Sequence, residues 1–270
     1  MFEKIILRDS IPEVSITPVL CDPRLGTRDA ILVIPGGGYG CVCDDREGFP
    51  VAMAFASRGM SAFVLKYSVG AAAKGHQPLI DASVAMAYIK AHADDFCIDP
   101  ARVSCVGFSA GGHLSGSLGC FWYCSDVIKR AEINYGENRP LVTVMGYPVV
   151  SGVDSPHSGS FRAILGEESP TKEQLMKYSL ELCVNEKTRP AFLFHTAADA
   201  GVPVQNSLTY ARALADNKIP FELHIYPYGP HGIALANELT GMGRAHFIVP
   251  EAAGWVDDAV RFIRSVPTEQ

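Results

Sequence analysis

The chain has 270 residues, 48% of them hydrophobic and 19% charged, with a formal net charge of −6. That apolar share is enough for a sizeable core, and the acidic balance without a basic stripe argues against nucleic acid as a partner. No window reaches the roughly 18 uninterrupted apolar residues of a spanning helix, and the start MFEKIILRDS is too briefly apolar for an export signal, so a cytoplasmic protein without a membrane partner is expected.

The first apolar run, IIL at 5–7, reads as a strand, and AILVI at 30–34 as a second. A helical pattern over 48–59 ends at Gly59, and AFVLKY at 62–67 follows as a strand. Residues 78–93 open at Pro78, which suits a first helical turn, and place Leu79, Ala82, Ala85, Tyr88 and Ile89 near one face. The strand VSCVGF at 103–108 runs into a helical stretch from His113 to Phe121. Then come VTVMGY at 142–147, a polar and turn-rich region over 150–185, AFLFHT at 191–196, a helix over 203–217, FELHIY at 221–226 and a helix over 250–264. Most strands are continuous rather than alternating in apolarity, as strands covered on both faces are. Strand alternating with helix predicts an α/β fold, a mostly parallel sheet with helices on both faces, in a single domain spanning 1–270. The region 150–185 reads as an excursion on the substrate side, at the C-terminal edge where such sheets bind ligands. The eight cysteines are scattered, and the close pairs Cys41/Cys43 and Cys120/Cys124 lack CxxC spacing, so reduced thiols and no metal site are expected.

One stretch carries chemistry. Gly107-Phe108-Ser109-Ala110-Gly111 fits G-x-S-x-G, directly after a strand and before a helix. Such a turn strains the serine backbone and exposes its hydroxyl at the strand tip, and only glycine fits two positions to either side. A serine hydroxyl is a weak nucleophile at neutral pH and needs a base, which in turn needs an orienting acid. Asp199 follows the strand 191–196 and His231 follows the strand 221–226, giving the order Ser, Asp, His of an α/β-hydrolase. Of the other histidines, His92 falls in a helix and His195 and His224 in strands, His113 shapes the start of the helix behind the serine, and His76, His157 and His246 lie in or near loops. An oxyanion needs fixed donors. The amide of Ala110 is one, and PGGGYG after the strand 30–34 offers others, its spacing fitting neither a dinucleotide fingerprint nor a P-loop.

Taken together, PGGGYG, GFSAGGHL, HTAADAGVPVQNSL and PHGIAL resemble the acetyl-xylan-esterase-like α/β-hydrolases, relatives of the hormone-sensitive-lipase group, from about Ile31 to the C-terminal helix. The resemblance implies Ser109 as nucleophile, Asp199 as acid, His231 as base, and oxyanion amides from Gly37, Gly38 and Ala110. Pro35 stands where the lipase relatives have the histidine of HGGG, which moves the chain toward carbohydrate and small-ester substrates. The function implied is a serine esterase acting on small acyl esters, acetyl above all, of sugars or short oligosaccharides. It would use no metal or organic cofactor and no partner beyond the substrate, with homo-oligomerisation open. A serine peptidase of the prolyl-oligopeptidase type and a non-catalytic ligand-binding relative are the alternatives. Arg46, Glu47, Tyr147, His157 and Phe161 are candidates for shaping the pocket.

Overall fold

The computed structural model, which describes residues 3–8, 10–11 and 13–268, gathers eight strands into one sheet. In chain order these are β1 (Ile5–Ile6), β2 (Ser15–Val19), β3 (Arg28–Ile34), β4 (Met60–Lys66), β5 (Ile98–Phe108), β6 (Thr143–Gly146), β7 (Ala191–Thr196) and β8 (Phe221–Tyr226). Their spatial order is β1-β2-β4-β3-β5-β6-β7-β8. β2 runs antiparallel to both β1 and β4, and every pairing from β4 through β8 is parallel.

The unbroken apolar run of β3 has a simple cause. Ile31 and Val33 point into the cluster built around Phe55, Phe194 and Trp255, whereas Ala30, Leu32 and Ile34 point into a second cluster with Phe63, Met86 and Leu114. Helices Phe49–Ala56 and Trp255–Ser265 cover the first face, and Gln77–Ala91 and Ala110–Phe121 cover the second. Both faces are dry, so neither parity of side chain could be polar.

The sequence expectations miss the helix Ser125–Ala131 and start the last helix five residues before Trp255, and they differ from the fold in three further places. β2 reads SITPV, and its proline masks a strand in the sequence; β1 covers only Ser15 and Ile16, so Pro18 sits where the outer edge is open and a missing N–H is tolerated. β5 begins five residues before the predicted run, through the polar stretch Asp99–Arg102. The excursion over 150–185 is also more regular than its composition suggests, with helices Ser158–Leu165 and Lys172–Lys177, the second closed by a capping box of Thr171 and Gln174. Each has at most two turns, too few for a helical period to stand out. Among the described residues no helix is long and apolar enough to cross a membrane, and all eight cysteines are free.

Candidate active site

The C-terminal ends of the parallel strands meet along one rim. β5 ends at Phe108 and the helix Ala110–Phe121 starts two residues later, leaving Ser109 alone in the turn with φ 55° and ψ −120°. That conformation is costly for any residue with a side chain, and the surroundings enforce it. Ser109 N–H donates to the Gly146 carbonyl of β6, and the Ser109 carbonyl accepts from the amides of His113 and Val149. A Cβ on Gly107 would lie 1.9 Å from the Gly111 carbonyl oxygen, and one on Gly111 would lie 2.2 Å from that of Ile34. No relaxation of a side chain relieves a collision with backbone, so the elbow needs both glycines.

Asp199 and His231, from the loops after β7 and β8, converge on this serine. Ser109 Oγ lies 2.9 Å from His231 Nε2, and His231 Nδ1 lies 2.7 Å from Asp199 Oδ2. Gly201 must be small here, since a Cβ on it would stand 2.9 Å from the Cβ of His231. The other carboxylate oxygen of Asp199 accepts from the amides of Gly201 and Val202, at 2.8 and 2.9 Å. Burial opposes ionisation of Asp199, but hydrogen bonds from His195 and His231 and from the Val202 amide outweigh it and hold the carboxyl well below the usual carboxylate range.

His195 is a partner that sequence reading left as a strand residue. Its Nε2 lies 2.9 Å from the Val202 carbonyl and 3.3 Å from Asp199 Oδ2, and its Nδ1 faces the Ser207 hydroxyl at 2.8 Å. A carbonyl only accepts, so the proton is on Nε2, directed at Val202 and at the same carboxylate oxygen that meets His231. The one available signal was the spacing of HTAAD, which sets a buried strand histidine four residues before the acid.

The loop Pro35–Gly40 lies against Ser109, so closely that a Cβ on Gly36 would stand 3.1 Å from the serine Cβ. Gly37 holds φ 129°, open only to glycine, and a Cβ there would be 2.2 Å from the Cys41 carbonyl oxygen. Three buried side chains pin this loop. Tyr67 donates its hydroxyl to the Pro35 carbonyl at 2.7 Å, and Glu47 accepts from the Gly36 amide at 2.8 Å. Tyr39, at φ 60°, donates its hydroxyl to His113 Nδ1 at 2.8 Å, while His113 Nε2 donates to the Tyr178 carbonyl, also at 2.8 Å. Burial pushes His113 down to about 4, so near neutrality its imidazole is uncharged and keeps this donor–acceptor pattern. The amides of Gly37, Gly38 and Ala110 have no protein acceptor among the described residues.

These groups open onto a cavity of about 380 Å³ lined by glycine, cysteine, serine, histidine, arginine and glutamate, with no leucine, isoleucine, valine or phenylalanine in its wall. Of the five pocket candidates, Arg46, Glu47 and His157 line it. Tyr147 does not, but packs its ring edge-on against His231, with centroids 5.1 Å apart, and donates its hydroxyl to Glu47 at 2.8 Å. Phe161 is a correction: it is fully buried, with its ring against His113, because the helix Ser158–Leu165 turns that face into the core.

Comparison with known proteins agrees with this architecture. The BD-FAE family model matches residues 23–214. The chain is 41% identical over 216 residues to endo-1,4-beta-xylanase B of Butyrivibrio fibrisolvens, which is 78% of this chain and 33% of that protein. It is 30% identical over 207 residues to the acetylxylan esterase of Xylanibacter ruminicola, covering 75% of this chain and 40% of that protein. It therefore spans less than half the length of either curated relative. The solved structure of an acetyl ester-xyloside bifunctional hydrolase from Caldicellulosiruptor lactoaceticus superposes with a TM-score of 0.82 at 34% identity, covering 98% of this chain and 97% of that one.

Proposed function

The chain belongs to the BD-FAE family of acetyl-xylan-esterase-like α/β-hydrolases, and on that footing we propose that it is a serine esterase removing small acyl groups, acetyl above all, from sugars or short oligosaccharides. One observation carries the reading: an unbroken hydrogen-bond chain from Ser109 through His231 to Asp199, with links of 2.9 and 2.7 Å. In the proposed reaction His231 Nε2 takes the hydroxyl proton as Ser109 Oγ attacks the ester carbonyl. The amides of Ala110 and of Gly37 or Gly38 receive the oxyanion. His231 returns the proton to the departing alcohol, takes one from water as it attacks the acyl-enzyme, and gives that one back to Ser109 Oγ as the bond to the acyl group breaks and the acid leaves. Asp199 keeps the Nδ1–H tautomer of His231 and balances the imidazolium charge throughout.

One curated relative and one solved structure are named for acetyl esters, which supports a short acyl group. A sugar as the alcohol is supported by the relatives' names, two of which mention xylan and xyloside.

Turnover of p-nitrophenyl acetate tests the mechanism. Ser109→Ala should lower kcat by at least about 10³-fold, on the scale of triad deletions; near-parental turnover would remove Ser109 as nucleophile. Acetyl, butyryl and octanoyl esters test the substrate class, with kcat/KM expected to fall as the chain lengthens, and a preference for octanoyl would defeat it. Cleavage of peptide amides at rates rivalling acetyl esters would favour a peptidase.

A further inference from the structure

We propose that His157 is a substrate-binding residue whose Nε2–H donates to an oxygen neighbouring the acylated one, so that the site selects esters of polyols such as partially acetylated glycosides. This rests on the esterase reading and deepens it by naming the residue that recognises the alcohol half of the substrate.

The case starts from the tautomer. His157 precedes the helix Ser158–Leu165 and caps it, its Nδ1 lying 3.3 Å from the Ser160 amide nitrogen and 2.8 Å from the Ser160 hydroxyl. A backbone N–H donates and cannot accept, so Nδ1 is the acceptor, and a neutral imidazole then carries its proton on Nε2. Burial, and secondarily the nearby His231, lowers the affinity of His157 for a second proton, which preserves that tautomer in the neutral range.

The position supplies the rest. His157 lines the same cavity as Ser109 and His231. Its ring reaches the oxyanion loop, where a Cβ placed on Gly38 would stand 3.7 Å from Cε1, the carbon between the two ring nitrogens. Nε2 meets no protein acceptor among the described residues, although Nδ1 is doubly engaged. The cap thus fixes the ring and leaves one oriented donor at the edge of the site. An ester of a simple alcohol that displaced water from this donor would leave it unpaired, whereas a polyol brings a hydroxyl or ring oxygen to it. Sites built on such a donor discriminate against ligands that lack the matching oxygen.

Two substitutions separate donor from cap. In His157→Asn the side-chain oxygen falls near the Nδ1 position and preserves the cap, but nothing reaches the Nε2 position. In His157→Gln the amide nitrogen reaches the Nε2 position and the cap is lost. The measurement is the ratio of kcat/KM on a mono-O-acetylated methyl β-xyloside to kcat/KM on p-nitrophenyl acetate. We expect the ratio to fall about 10-fold in His157→Asn, the scale of one hydrogen bond. His157→Gln should stay within about threefold of the parent ratio while melting at a lower temperature. A parental ratio in His157→Asn would overturn the assignment, as would an equal fall in both variants, which would trace the effect to the loop instead of the donor. If the parent protein hydrolysed neither ester, the esterase reading itself would fall and this assignment with it; turnover of both esters with an unchanged ratio in His157→Asn defeats His157 alone.

Discussion

Glu47→Gln is the most informative single change to the site's frame. Glu47 is buried, yet it accepts from the Gly36 amide and from the Tyr147 hydroxyl, both at 2.8 Å. The Tyr147 hydroxyl in turn accepts from the amide of Ala234, in the loop that carries His231, at 3.0 Å. One carboxylate therefore ties the oxyanion loop to the histidine loop. Glutamine has a single acceptor oxygen, so its amide group must face either the Gly36 N–H, donor against donor, or a tyrosine hydroxyl whose own proton then lacks an acceptor. Losing one charge-assisted hydrogen bond costs about 1.5–3 kcal/mol. Placed on the transition state, that lowers kcat by about 10- to 100-fold. Stability should fall by less, because removing the charge also removes the cost of burying it. The assay is kcat on p-nitrophenyl acetate for Glu47→Gln, Tyr147→Phe and the double variant, with urea unfolding of each. Because both residues act in one chain of hydrogen bonds, the double variant should be less impaired than the product of the singles, with a coupling above the 0.3–0.5 kcal/mol scatter of independent sites. A kcat for Glu47→Gln within twofold of the parent, or additive effects, would refute the idea that this bridge holds the two loops together.

Further outcomes follow from the same geometry. Asp199→Asn preserves shape but offers His231 Nδ1 an uncharged partner of ambiguous orientation, so kcat should drop on the order of 10³- to 10⁴-fold in single-turnover assays. Because the fold holds Asp199 below its ordinary range, its stabilising contribution is present above the unfolded value of about 3.9 and is lost as pH falls; the stability gap between parent and Asp199→Asn should therefore narrow between pH 6 and pH 3. His113 behaves in the same sense, because the folded state disfavours its protonation too. The unfolded imidazole protonates near 6.5 and the buried one only at about 4, so stability is full above 6.5 and falls by about 3 kcal/mol as pH drops through that window. Urea unfolding at pH 7.5 and 4.5 should show this slope reduced in His113→Gln. It should not vanish, because His76 is shifted in the same direction by burial and by the neighbouring His113. Gly111→Ala drives a methyl to 2.2 Å from the Ile34 carbonyl oxygen and should destabilise the protein by about 3 kcal/mol in chemical denaturation while abolishing turnover.

How far the sequence could be read depended on the range of the interaction involved. The parallel strands were legible because a strand covered on both faces is apolar at nearly every position, as β7 is; β8, half-buried at the sheet edge and carrying Glu222 and His224, also falls where its run predicts. Ser109 was legible because its strain is local: the glycines that permit it are two residues away on either side. Asp199 and His231 were legible from chain order and post-strand placement, although they sit 90 and 122 residues from the serine, the latter separation joined by a hydrogen bond. What stayed hidden has no local imprint. Glu47 was legible as a pocket candidate from its place after the glycine-rich loop, but not as a buried bridge, because its partner Tyr147 is 100 residues away. Tyr67 and His195 read as strand residues because each buries a ring and spends a polar atom on a loop elsewhere in the chain.

That division has a physical reason in the reaction proposed. The reacting groups must meet at strand ends beside the cavity, so they occupy turns with strict local chemistry. Their support must do the opposite: it must be buried to be rigid, and buried polar groups must find partners. In this protein the partners are the loops themselves. The Pro35 carbonyl, the Gly36 amide, the Val202 carbonyl and the Ala234 amide are each met by a buried side chain from elsewhere in the fold. Satisfying those polar atoms and holding the amides of Gly37, Gly38 and Ala110 free for an oxyanion are therefore one structural act, and preorganisation of the site is the form that hydrogen-bond satisfaction takes along this rim.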